Sequence, residues 1–264
     1  MNIGLFIIGD EILSGKRQDK HLSKVIELLG ARGLSLAWAK YLGDDREQLI
    51  REYRAAYDGG DLFFSCGGIG ATPDDHTRQA AAAALGRPLA LHPEAADLIW
   101  QRVQQMAAEQ GTTPERDHPD TVRRMEMGVF PQGAAIIPNP YNRIPGFSIG
   151  RAYFVPGFPV MAHPMIEWVL DHLHADLHRA VGTRERSLIV QGAMEASLTP
   201  LMERVEADFP GIKVFSLPSV DHPQWGRHIE LGVKGDAAAM DAAYAALRAG
   251  VVQFGASIGT ELVR

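Results

Sequence analysis

The sequence predicts an α/β protein: a three-layer domain on a mostly parallel sheet, followed by a small α+β domain. Two observations predict the first part. Short apolar runs alternate with helix-period segments, and several of these runs break at loops carrying glycine and acid. A third predicts the second part, because after residue 181 the order changes to βαββα. In open α/β sheets, ligands sit beyond the carboxyl ends of parallel strands, where the loops of neighbouring strands meet.

The first strand is read over Ile3 to Ile8 and breaks at Gly9-Asp10-Glu11-Ile12-Leu13-Ser14-Gly15. Asp19 can cap a helix whose Leu22, Val25, Ile26 and Leu29 share one face, with Gly30 or Gly33 ending it. A strand from Leu34 to Tyr41 leads to Gly43-Asp44-Asp45, and Asp45 is read as an acid at the start of a helix bearing Leu49, Ile50, Tyr53 and Tyr57. Leu62-Phe63-Phe64 then runs into the glycine-rich segment 65–77 and an alanine-rich helix, Gln79 to Leu85. A further helix, starting near Pro93, aligns Ala95, Leu98, Ile99, Val103 and Met106.

Residues 110–121 and 138–150 read as surface loops, the second being either a rigid pocket wall or an ordinary hairpin connection. Ala152 to Val155 gives a fourth strand-to-loop junction at Pro156-Gly157-Phe158-Pro159. The helix after it is expected to reach about Arg179, burying Ile166, Val169, Leu170, Leu173 and Leu177. Val181-Gly182-Thr183 reads as a hinge between domains 1–180 and 182–264. The second domain is read as strand Ser187 to Gln191, helix Glu195 to Phe209, strands Lys213 to Leu217 and His228 to Val233, and helix Ala237 to Ala249. So short a unit is expected to pack on the large domain or on another subunit of a homo-oligomer.

At 264 residues, 46% hydrophobic and 22% charged, the chain has the composition of globular rather than disordered protein. A net charge of −6 without a basic cluster argues against nucleic acid as a partner. No 18-residue apolar stretch or secretory signal is present, and the single cysteine, Cys66, precludes an internal disulfide; a cytoplasmic protein without a membrane partner is expected. The P-loop pattern is missing. His174 and His178 lie four apart but flank an apolar helix face, which favours packing over a shared metal.

The chemistry concentrates in Gly67-Gly68-Ile69-Gly70-Ala71-Thr72-Pro73-Asp74-Asp75-His76-Thr77. Gly67, Gly68 and Gly70 let a ligand approach the backbone, while Thr72 or Asp74 can cap the following helix, whose N-terminus favours an anion. Asp74 and Asp75 would repel a bare phosphate. They therefore either hold Mg²⁺ or a similar divalent cation against it, supply a base, or serve only as helix-start carboxylates. Thr72 and Thr77 either donate to phosphate oxygens or cap.

Taken in order, Gly9 to Gly15, Gly43-Asp44-Asp45, Gly67 to Thr77, Asn139-Pro140 with Pro145-Gly146-Phe147, and Pro156-Gly157-Phe158-Pro159 resemble the molybdopterin-binding, or MoCF-biosynthesis, domain. The version resembled is the one forming the N-terminal part of competence/damage-inducible protein A, and the likeness covers roughly residues 2 to 165 and, more weakly, Gly211 to Gly235. It implies that Asp10 and Glu11 are pocket residues, that Asp44 is a second functional acid, and that Asp75 stands where adenylyl-transferring members have a functional aspartate. Three departures stand out: Ala71 where Pro is usual, His21 where Asn is frequent, and an end at Arg264, where full-length relatives continue into an amidohydrolase domain. Nicotinamide-nucleotide deamidation is therefore not expected of this sequence.

The sites expected are Asp75 and Asp44 for catalysis, Asp74 and Asp75 for metal, and Gly9, Asp10, Glu11, Gly67, Gly68, Gly70, Thr72, Thr77, Pro156 and Gly157 for ligand. The activity implied by the resemblance is metal-dependent hydrolysis of the pyrophosphate of ADP-ribose or a related dinucleotide. Two alternatives stand beside it: a molybdopterin-binding protein or adenylyltransferase, with molybdopterin as ligand, and a non-catalytic nucleotide-binding module.

Overall fold

The computed structural model describes residues 2–178 and 183–263. The chain divides into two compact units, Met1–His178 and Arg179–Arg264. Val181 and Gly182 of the expected hinge lie outside the described residues.

The first unit begins β1 (Ile3–Ile8), α1 (Asp10–Leu13), α2 (His21–Gly30), β2 (Trp38–Leu42), α3 (Arg46–Asp58), β3 (Leu62–Cys66) and α4 (Thr77–Leu85). It continues β4 (Leu89–Leu91), α5 (Pro93–Gln110), α6 (Pro119–Glu126), β5 (Val129–Pro131), β6 (Ala135–Ile137), β7 (Gly146–Ile149), β8 (Ala152–Val155) and α7 (Pro159–His172). The main sheet has the order β2-β1-β3-β8-β7-β6; β2, β1, β3 and β8 run parallel, and β7 alone is reversed, pairing antiparallel with both β8 and β6. The carboxyl ends of the four parallel strands therefore share one edge of the sheet.

Alternating side chains of β1, β3 and β8 face opposite layers, and both layers are covered, which is why these three strands read as continuous apolar runs. Leu5, Ile7, Phe64, Tyr153 and Val155 pack under α2 and α7. Phe6, Phe63, Phe147 and Phe154 pack under α3, α4 and α5, with Phe147 and Phe154 stacked at 4.5 Å.

Several expectations are corrected. The β2 strand begins at Trp38, not Leu34. Ile26 is 51% exposed, on the outer side of α2. Asp19 does act at the start of α2, accepting from the N–H groups of His21 and Leu22. The helix after β8 ends at His172, and only a separate 3-10 turn follows at Ala175–Leu177, so Leu173 is exposed rather than core. His174 bonds Tyr153 and His178 bonds the Leu170 carbonyl, so each has its own partner. Part of the 110–121 loop is the start of α6, with His118 as its cap.

The second unit comprises β9 (Thr183–Gln191), α8 (Glu195–Asp208), β10 (Lys213–His222), β11 (Gly226–Asp236), α9 (Ala237–Phe254) and β12 (Ser257–Val263). Its antiparallel sheet has the order β10-β11-β9-β12. One face packs Leu188, Val190, Leu231 and Val233 against Leu198, Tyr244 and Leu247 of the two helices. The order is thus βαββαβ: β10 and β11 form a longer hairpin than expected, and β12 was not expected at all.

Candidate functional site

The loops that follow β1, β2, β3 and β8 line a single cavity of about 470 Å³, within the range of small-molecule sites. Gly9, Glu11, Asp44, Gly67, Gly68, Gly70, Thr72, Asp74, Asp75, Pro156 and Gly157 all line it. Asp10 lines an adjoining depression with Glu11, Lys16, Asp44 and Asp74. Thr77 is the exception. It is fully buried beneath the loop, where its hydroxyl donates to the Gly67 carbonyl at 3.0 Å.

Backbone conformation explains the glycines. Gly67 and Gly68 have φ of 112° and 68°, and a Cβ on Gly68 would strike the Thr77 hydroxyl. A Cβ on Gly157 would lie 3.3 Å from the Gly67 Cα, so the loops after β3 and β8 touch backbone to backbone.

The acids fall into two groups. Asp10 and Asp44 are cross-tied: the Asp10 N–H donates to Asp44 Oδ2 at 3.0 Å, and the Asp44 N–H donates to Asp10 Oδ1 at 3.3 Å. Burial pushes the Asp44 carboxyl up, and the charges of Asp10, Asp74 and Glu11 add to the rise against the opposing Asp10 N–H. Asp45 is a helix acid, its side chain accepting from the Gln48 N–H at the start of α3.

In the glycine-rich loop, Asp75 Oδ2 accepts from both the Thr72 N–H, at 2.9 Å, and the Thr72 hydroxyl. Asp74 is fully exposed, and its carboxyl is held below the usual range by Thr72 and its own N–H. Neither Thr72 nor Asp74 caps a helix, because α4 begins only at Thr77, with His76 at the cap position and the Thr77 N–H donating to the Gly68 carbonyl.

Four contributors were not singled out from the sequence. Arg78 is buried under the loop, with Nη2 donating to the Gly70 carbonyl at 2.6 Å and Nη1 to that of Glu126; burial lowers its pKa against Asp75 and Glu126. A basic residue in an otherwise alanine-rich helix was the available signal. Arg17, Asn142 and Met161 also line the cavity. His21, noted only as a departure, is 4% exposed and bonds the Gly157 carbonyl through Nε2 at 3.1 Å. A carbonyl only accepts, so Nε2 carries the proton, and burial lowers this histidine's pKa.

Among the described residues, no three His, Cys, Asp or Glu side chains form a ready-made metal site. The donor set is nonetheless hard oxygen, and Mg²⁺ is commonly held by one or two carboxylates with water and substrate phosphates. The residues present fit such an ion.

The family described as "Probable molybdopterin binding domain" matches residues 4–175. The chain belongs to this molybdopterin-binding domain family. A CinA-like protein of Syntrophotalea carbinolica is 31% identical over 220 residues, covering 79% of this chain and 51% of that protein. Another, from Anaeromyxobacter dehalogenans, is 29% identical over 210 residues, covering 77% and 49%. These place the chain on the CinA-like branch, although it spans about half the length of these curated relatives. The solved structure of CinA from Thermoplasma acidophilum has the same fold, with a TM-score of 0.53 at 24% identity, covering 65% of this chain and 98% of that one. Among the described residues, no helix is long and apolar enough to cross a membrane.

Proposed function

We propose that the cleft of this molybdopterin-binding-family unit binds a phosphorylated nucleotide and, with Mg²⁺ or another divalent cation, hydrolyses the pyrophosphate of ADP-ribose or a related dinucleotide. One observation carries the reading: four carboxylates from three loops, Asp10, Glu11, Asp44 and Asp74, gather beside a glycine-lined cavity. Gly68 and Gly70 bring the backbone close to the phosphates. Asp74, the free oxygen of Asp75 and Asp44 are the proposed cation ligands, and Asp44 or Asp75 takes the proton of the attacking water. A bound cation would neutralise pyrophosphate oxygens and acidify water. Cys66, a buried thiol, suits a cytoplasmic setting.

Incubation with ADP-ribose and Mg²⁺ is expected to release AMP and ribose phosphate, with Asp75→Asn slowing turnover by roughly 10²-fold. The family match itself favours a second reading, in which the ligand is molybdopterin and the protein serves as a carrier or adenylyltransferase. No AMP with Mg²⁺ or Mn²⁺, together with tight molybdopterin binding, would select that second reading.

A further inference from the structure

Among the described residues, Arg78 is the only lysine or arginine that is buried, at 5% exposure. It stands in the first turn of α4, beneath the glycine-rich loop, and does not line the cavity. We infer that Arg78 is a positioning residue: it holds the peptide between Gly70 and Ala71 with its N–H turned to the cavity, and through that peptide its buried charge assists the binding of a phosphate. The inference rests on reading the cleft as a phosphate site. It assigns the residue that orients a donor there, whichever organic group the phosphate carries.

The peptide between Gly70 and Ala71 is trans, so its C=O and N–H point in opposite directions. Arg78 Nη2 donates to the Gly70 carbonyl at 2.6 Å, and among the described residues no backbone N–H reaches this oxygen. The carbonyl is thus drawn under the loop, and the Ala71 N–H is turned away from Arg78. Ala71 is exposed and lines the cavity, and its N–H donates to no group among the described residues. Such an open N–H, its carbonyl half tied to a cation, is a preorganised donor for an anion.

The energetics point the same way. The guanidinium bonds only two backbone carbonyls, those of Gly70 and Glu126; Asp75 and Glu126 act on it by charge alone, and Nε has no partner. A buried cation without a bonded carboxylate is costly. A phosphate on the far side of the peptide recovers part of that cost, because the peptide dipole then has its negative end on Arg78 and its positive end on the anion. The bond to the Glu126 carbonyl, at the end of α6, anchors the guanidinium from a second element. Met127, the next residue, lines the cavity, so one side chain ties two of its walls.

The test titrates Mg²⁺-pyrophosphate into the wild type and Arg78→Met, with thermal melts to confirm folding, and records ¹⁵N–³¹P correlation spectra of the bound wild type. The Ala71 nitrogen is expected to show a coupling to phosphorus through the hydrogen bond, which a merely structural role for Arg78 would not produce. Arg78→Met fills similar space without charge or donors and should weaken pyrophosphate about ten- to hundredfold, the effect of losing a hydrogen bond assisted by charge. If that variant does not fold, the coupling in the wild type decides alone. The inference is overturned if Ala71 shows no coupling in the bound wild type, or if folded Arg78→Met binds pyrophosphate as tightly as the wild type; either result leaves the hydrolase reading standing. A coupled Ala71 and a weakened variant, in a protein that never cleaves ADP-ribose, would support the inference and count against the hydrolase reading. A wild type that binds no pyrophosphate would overturn both.

Discussion

Replacing Asp44 by Asn is expected to stabilise the metal-free protein and weaken its response to cation. Asp44 is partly buried and has the charges of Asp10, Asp74 and Glu11 around it; the Asp10 N–H at 3.0 Å opposes their effect, and an asparagine oxygen can still accept it. At a solvent-open mouth each like-charge neighbour costs a few tenths of a kcal/mol, so removing the Asp44 charge should add about 1 kcal/mol. That corresponds to a rise in Tm of about 2–4 °C, read by thermal unfolding at low salt and pH 7, and added salt should shrink it. At Mg²⁺ about tenfold above its Kd the wild type gains about 1.4 kcal/mol, whereas the variant gains less, so the gap closes or reverses. The pH dependence has a definite sign. A carboxyl raised in the folded state holds its proton more tightly than in the unfolded chain, so stability falls as pH rises from the unfolded value of 3.8 through the folded one. The advantage of the variant is therefore full at pH 7 and fades as Asp44 protonates. A variant less stable than the wild type without metal, or an equal Mg²⁺ increment in both, would refute the reasoning.

Gly68→Ala combines a φ of 68° with a clash on Thr77 and should cost about 2–3 kcal/mol in urea unfolding; a loss under 0.5 kcal/mol would mean the loop relaxes freely. Thr77→Val, which removes the bond to the Gly67 carbonyl, should cost about 1–3 kcal/mol in the same assay while leaving pyrophosphate affinity within about twofold, and a selective affinity loss would make Thr77 a ligand contact instead. Burial lowers the His21 pKa, so its contribution is complete above the unfolded value of 6.5 and is lost as pH falls through the folded value. His21→Asn should therefore flatten the drop in Tm between pH 7 and pH 5, and an unchanged slope would assign that drop to other groups.

The parallel sheet was legible because Ile3 to Ile8, Leu62 to Phe64 and Ala152 to Val155 are buried on both faces and so carry an uninterrupted apolar signal. The loops after them were legible because Gly67 and Gly68 need backbone conformations that few other residues adopt. By contrast, β12 is an edge strand reading Ser-Ile-Gly-Thr-Glu-Leu-Val, partly polar, and Pro218 breaks the pattern of β10 without ending it, because β10 is the opposite edge. Thr77 and Asp75 show the limit within the site. Both belong to one loop motif, yet only the folded chain determines that Thr77 supports it from below and that Asp75 spends one oxygen on Thr72. Arg78 and Asn142 act through partners 48 and 19 residues away, which local pattern does not reveal.

A crystal structure of the protein grown with Mn²⁺ and a non-hydrolysable ADP-ribose analogue tests the central claim most directly. Anomalous scattering should place the metal within ligand distance of Asp74 and Asp44 or Asp75, with the pyrophosphate on the backbone of Gly68 and Gly70. Metal and analogue bound outside the cavity formed by the β1, β2, β3 and β8 loops, or absent from a crystal soaked at saturating concentration, would contradict it.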